Sequence, residues 1–225
     1  MATLNTYRLT AWLAFVAFSL VPLGEALSKK PRAGVPKRTV RSATVRLGTP
    51  ARENPITLDE QALRQAIYDT AAQFLGKTER TNHNDAPWIT RINKFNHLPS
   101  QALYCASGLY YAYAKNGAWL TVKSVGYVKV YFRDKAKIVY QRGARGNQRI
   151  GPPPKKMDFV SLYASHVEGL ADDRWNDDAD YVMTIGFNTT GGTGTKGGCY
   201  LNRRRKSEIK AIANHLTPYL EQWKP

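Results

Sequence analysis

Few residues in this 225-residue chain are equipped for covalent chemistry: two cysteines and four histidines. A thiol attacks a carbonyl only as the thiolate, so it needs a lowered pKa or an adjacent base. Cys105 stands where both can apply. It follows a Pro99-Ser100 break and opens the run Cys-Ala-Ser-Gly-Leu-Tyr-Tyr-Ala-Tyr-Ala, which reads as a helix ending at Asn116-Gly117. Unpaired N–H groups and the helix dipole at such a start favour negative charge, on a thiolate or on the oxyanion of a tetrahedral intermediate. His166 begins a short strand and can turn one ring nitrogen to that thiol. Its other nitrogen then needs an orienting group, for which Asn188, at the end of the next strand, is the candidate by position.

Other readings of the same residues stay open. Cys105 and Cys199 are an even pair, and an oxidising compartment would allow a disulfide between them. The protein would then be an inactive module that binds envelope or glycan. Glu79, Asn82 and Asn84 are candidates for shaping a cleft, and Glu79, Asn84 and Tyr104 for binding substrate. His83, His97 and His215 have no metal-ligand spacing with a Cys or an acid, so no zinc site is expected. The pattern Gly-x-Gly-x-x-Gly at Gly192, Gly194 and Gly197 leads into a strand, which argues against a dinucleotide site. Arg203-Arg204-Arg205-Lys206 is a basic cluster, suited to an anionic polymer or to solvent.

The elements that must position Cys105 and His166 follow from spacing. Leu63, Ile67, Ala71 and Phe74 make a helical stripe, with Thr57 and Glu60 at capping-box spacing before it and Gly76 after it. Pro87 predicts a second helix reaching Leu98. Residues 120–141 favour strand by residue type, but their spacing settles nothing; 142–156 read as a loop. Short strands are expected at Asp158–Tyr163, His166–Ala171, Tyr181–Phe187 and from Cys199. Ser207-Glu208 would open a last helix bearing Ile209, Ile212, Ala213 and Leu216. Helices first and strands afterwards imply an α+β domain over 57–225.

Arg8, the apolar stretch Leu9–Leu23 and small residues at Ala26 and Ser28 have the anatomy of a signal peptide over 1–28. An uncleaved anchor is the alternative, and either places the rest outside the cytoplasm, secreted or periplasmic. Cleavage would leave no membrane span, since the apolar stretch is short for one. Residues 29–56 read as a basic linker, with eight Lys or Arg and no acid in 29–52. The net charge of +16 attracts polyanions without choosing among them. No nucleic-acid motif is present, and with the leader-like segment this favours an anionic cell envelope over nucleic acid.

With Tyr104-Cys105-Ala106 opening a helix, Ser165-His166-Val167 opening a strand and Asn188 at the end of the next, the chain resembles the CHAP family, cysteine- and histidine-dependent amidohydrolases and peptidases of bacterial and phage cell-wall enzymes. The resemblance runs from about Leu75 to Ile209. Gly76-Lys77-Thr78-Glu79 with Asn82 and Asn84 is similar to the family's Gly-x-x-Glu…Asn element. Tyr104-Cys105-Ala106 resembles its Trp-Cys-Ala nucleophile turn, and Met157-Asp158-Phe159-Val160 its Gly-Asp strand. Ser165-His166-Val167 resembles the histidine strand, and Thr184 to Thr189 the strand that ends in Asn-Thr. Gly197 to Arg204 fits the Gly-Val-x-x-Arg-x-Arg strand. Four positions depart: Tyr104 for Trp, Met157 for Gly, Glu168 for Gly, and Gly186 where an acid is frequent. Without that acid, Asn188 alone is left to orient His166. The resemblance implies a papain-like fold, helices packed on a small antiparallel sheet. It also implies hydrolysis of a peptidoglycan amide, either N-acetylmuramoyl–L-alanine or a stem or cross-bridge peptide bond, through an acyl-enzyme on Cys105.

Overall fold

The computed structural model describes residues 59–222 apart from 144–145, 164 and 192–193. The expected signal segment, the linker and Thr57 lie outside the described residues. Three helices come first: α1 (Glu60–Ala72), α2 (Pro87–Phe95) and α3 (Cys105–Lys115). Strands β1 (Ile138–Gly143), β2 (Gly146–Arg149), β3 (Phe159–Leu162), β4 (Val167–Leu170), β5 (Tyr181–Thr189), β6 (Gly198–Arg205) and β7 (Ile209–Ala213) follow, and α4 (Leu216–Glu221) closes the order. The strands form one sheet in the order β2-β1-β7-β3-β4-β5-β6. Every neighbouring pair is antiparallel. The class is α+β. No helix among the described residues is long and apolar enough to cross a membrane.

The helices pack on one face of the sheet. Ile67 and Ala71 of α1, Ile89 and Ile92 of α2, and Leu109 and Ala112 of α3 share a core with Phe159, Val167, Ile185 and Phe187 of the strands. Each fully buried Ile or Leu contributes roughly 1.5–3 kcal/mol to folding. The opposite face carries a smaller core of Val160, Leu170, Val182, Ile209 and Ile212, against which Trp175 packs. Two arrangements bind the layers. Arg64 of α1 is buried and donates to Asp158 Oδ1 at 2.8 Å and to Asn214 Oδ1 at 3.0 Å, tying α1 to β3 and to the β7–α4 junction. Gly108 of α3 lies so close to the Phe187 ring that a Cβ there would overlap it.

Several expectations need correction. The segment after Ser207-Glu208 is not a helix. It is β7, between β1 and β3, and α4 begins only at Leu216. Ile209 and Ile212 face one core while Ala211 and Ala213 face the other, so the segment is apolar on both sides. Such a run satisfies strand and helix periods alike, and only its neighbours decide. The cap of α1 is Asp59, whose Oδ1 accepts from the Gln61 N–H at 2.9 Å. The ambiguous stretch 120–141 contains two 3-10 turns, Val128–Phe132 and Lys135–Lys137, before β1 starts. The expected loop 142–156 instead completes the β1–β2 hairpin, in which Gly143 pairs with Gly146. Helix α2 stops at Phe95, because His97 takes a left-handed backbone (φ 56°).

Candidate active site

Cys105 is the first residue of α3, and no side chain caps that helix start. Its first-turn N–H groups are therefore open to a negative charge. Gly108, one turn on, lets α3 ride against β5, and Leu109 packs over Gly169 of β4. This close approach brings the thiol to the end of the strand that follows His166. Cys105 and His166 stand side by side, close enough that the thiol acts on the ionisation of the imidazole. Both expected chemical residues are thus brought together.

The other side of His166 is not where the sequence pattern put it. His166 Nε2 lies 3.2 Å from Glu168 Oε1. Glu168 is fully buried and takes four further hydrogen bonds: Thr184 Oγ1 at 2.5 Å, Asn202 Nδ2 at 3.1 Å, Arg204 Nε at 2.9 Å and Arg204 Nη2 at 2.5 Å. Burial alone would raise this carboxyl, but His166, Arg204 and Thr184 hold it at about 2. An ionised carboxylate only accepts, so Nε2 carries a proton and Nδ1 is the nitrogen left for the thiol. Burial pushes His166 down. Its bonds to Cys105 and Glu168 outweigh that and bring it up to about 9.

Asn188 does not hold His166 among the described hydrogen bonds. It is the last residue but one of β5, has a left-handed backbone (φ 53°), and lines the same cleft. Glu168 takes the orienting place instead. Register explains how: Gly169 pairs with Ile185 and Leu170 with Thr184, so Glu168 lies opposite Gly186. A Cβ on Gly186 would come 2.5 Å from Glu168 Oε1. The missing side chain at 186 is the space that the carboxylate fills. The signal was present as two departures, an acid gained at 168 and one lost at 186. Only the strand pairing joins them.

The cleft holds about 510 Å³ and is walled by His166, Asn188, Thr189, Asn84, Leu103 and Glu79, among others. Leu103 is 66% exposed there, an apolar contact for a bound chain. Cys105 is 5% exposed and meets the cleft through His166. Tyr104 is fully buried, so it cannot touch substrate as expected; its hydroxyl donates to Glu79 Oε1 at 2.9 Å. Glu79 is also buried, and its other oxygen accepts from the Asn84 N–H at 3.0 Å. Its carboxylate therefore organises the loop before α2. Asn84 is half-exposed in the cleft wall, with its amide donating to Gln101 O at 3.0 Å. A larger hollow of about 730 Å³, beside Glu60, Arg64 and Lys155, is lined by neither cysteine nor histidine.

Cys105 and Cys199 are both free thiols, so the bridge required by the inactive-module reading is not formed. Cys199 is fully enclosed, its Sγ 3.9 Å from Ala71 O, and burial pushes its thiol up to about 12. One cysteine is thus coupled to a base and the other is inert packing. Compared with protein-family models, curated proteins and solved structures, the chain matches none.

Proposed function

We propose that this protein is an exported thiol hydrolase of the papain-like, CHAP type, cleaving an amide bond in bacterial peptidoglycan. The observation that carries this reading is the line Cys105–His166–Glu168, set at an uncapped helix start beside a cleft. Three groups in that order meet the requirements of nucleophilic acyl transfer: a thiol, a base beside it, and an anion that fixes the base. His166, brought up to about 9, is charged at neutral pH and favours the thiolate form of a thiol beside it.

The steps follow from that pair. The Cys105 thiolate adds to the amide carbonyl, forming a C–S bond while the carbonyl π electrons move to oxygen. The N–H groups at the start of α3 receive the oxyanion. The C–N bond breaks as His166 gives its proton to the leaving amine. Water, deprotonated by His166, then attacks the thioester, and the carboxylic acid product leaves with Cys105 restored. Glu168 keeps the imidazole in one tautomer and supports its charge throughout.

The choice of peptidoglycan rests on the motif resemblance, the leader-like N-terminus and the net charge of +16. Met157 adds to the resemblance. It occupies a family glycine position and takes a left-handed backbone (φ 64°), a conformation for which glycine is the usual residue. The test is digestion of purified peptidoglycan by the wild type, Cys105→Ala and His166→Ala, with mass analysis of the fragments. New amine and carboxyl ends from the wild type alone support the reading, and equal fragment yields from all three refute it.

A further inference from the structure

We propose that Arg204, on β6, is a positioning residue for His166 that acts through Glu168. The inference rests on the thiol-hydrolase reading of Cys105 and His166. It adds a residue from a strand two places from the one that follows the histidine.

The geometry is a side-on clamp. Arg204 Nε donates to Glu168 Oε2 at 2.9 Å, and Nη2 donates to Oε1 at 2.5 Å. Paired Arg–carboxylate bonds of this kind fix the plane of the carboxylate as well as its position. Oε1 is also the atom facing His166 Nε2, and Asn202 supplies it a third donor at 3.1 Å. Oε2 receives Thr184 Oγ1 at 2.5 Å. Turning the carboxylate away from His166 would break several of these bonds at once. Arg204 is itself anchored, since Nη2 also donates to Thr189 Oγ1 at 3.1 Å, and Thr189 belongs to the cleft wall.

Charge distinguishes Arg204 from the other donors. Thr184 and Asn202 are neutral, while Glu168 has no side-chain exposure to solvent. A buried carboxylate without a cation takes a proton, and a protonated Glu168 could no longer support an imidazolium. The charged or titratable groups facing Glu168 and His166 are Cys105 from α3 and Arg204 and Cys199 from β6. Glu208 acts on Arg204 from beyond it. Arg204 is the permanent cation of this set. Lysine would retain the charge and lose the paired geometry, so the two contributions can be separated.

The test uses the full chain and iodoacetate. This anion alkylates Cys105 fastest while the adjacent imidazolium is charged, so the alkaline fall of its rate reports His166. Wild type, Arg204→Gln and Arg204→Lys are compared from pH 5 to 10, with unfolding followed at each pH. The fall is expected near 9 in the wild type. It should move down by about one unit in Arg204→Gln and by less in Arg204→Lys. Folded variants whose fall coincides with the wild type would overturn the role of Arg204, leaving the hydrolase reading intact. A wild-type rate that shows no alkaline fall at all would overturn both.

Discussion

Two carboxylates are fully buried beside an arginine, and they behave in opposite ways. Asp158 meets Arg64, and Glu168 meets Arg204. Burial raises Asp158 to about 6 despite its arginine, whereas Glu168 is held at about 2. The cause is how the donors are shared. Arg64 divides its donors among Glu60, the Lys156 carbonyl, Asp158 and Asn214. It gains from two carboxylates and returns only part of its charge to Asp158. Glu168 takes both bonds of a paired arginine, two neutral donors and an imidazole. The first arrangement joins α1 to the sheet. The second stores a fixed negative charge beside a base. The same residue types thus make a staple in one place and a charge support in the other.

The largest separation between them should come from removing each acid. Glu168→Ala should slow peptidoglycan cleavage by about 10³-fold, because His166 loses both orientation and counter-charge. It should also cost roughly 3–5 kcal/mol of stability by leaving Arg204 unpaired. Asp158→Ala should cost a similar roughly 3–5 kcal/mol. Its Cys105 alkylation rate, measured while folded, should nevertheless stay within about twofold of wild type, since the Asp158 side chain bonds Arg64 and the Lys155 N–H and shares no partner with Glu168. Urea unfolding and thiol kinetics on the same samples check both.

The pH dependence of stability should carry opposite signs. A carboxyl raised to about 6 binds its proton more tightly when folded, so the contribution of Asp158 is present below 3.8 and lost as pH rises through 6. Glu168 is depressed, so its contribution is present above 4.5 and lost as pH falls through about 2. Unfolding free energies of Asp158→Asn and Glu168→Gln from pH 2 to 7 should diverge from wild type in these two windows. His166 is raised, so its contribution is present below 6.5 and lost as pH rises through about 9.

Smaller effects sharpen the picture. Gly186→Ala places a methyl against Glu168 Oε1 and should lower Cys105 reactivity by about tenfold, because the carboxylate must shift. Asn188→Gly suits the left-handed backbone there and should change reactivity by less than about threefold. If instead Asn188→Gly exceeds Glu168→Ala in effect, Asn188 is the orienting group after all.

What could be read from sequence divides along the same line. Helix α3 matched its expected bounds because Cys105 follows a chain break and Asn116-Gly117 ends the run. The strands at 159, 167, 181 and 198 were legible from short apolar runs between turn residues. Ile209 to Ala213 was misread because a strand buried on both faces has no period of its own. The pairing of Cys105 with His166 was visible in residue type and order. Glu168 was not, because its role depends on lying opposite Gly186, and register is a property of two strands rather than one. Tyr104 was misassigned because an aromatic beside a nucleophile looks like a contact surface until its burial is known.

The most direct measurement is alkylation of the native protein with iodoacetamide at pH 6, with the modified residue located by mass spectrometry. Cys199, buried and raised to about 12, serves as the internal control. Cys105 should react at least about tenfold faster than free cysteine, because the His166 charge lies beside it, while Cys199 stays unmodified. His166→Ala should abolish that advantage. A Cys105 that reacts no faster than free cysteine, or equally fast without His166, would contradict a thiol activated by this site.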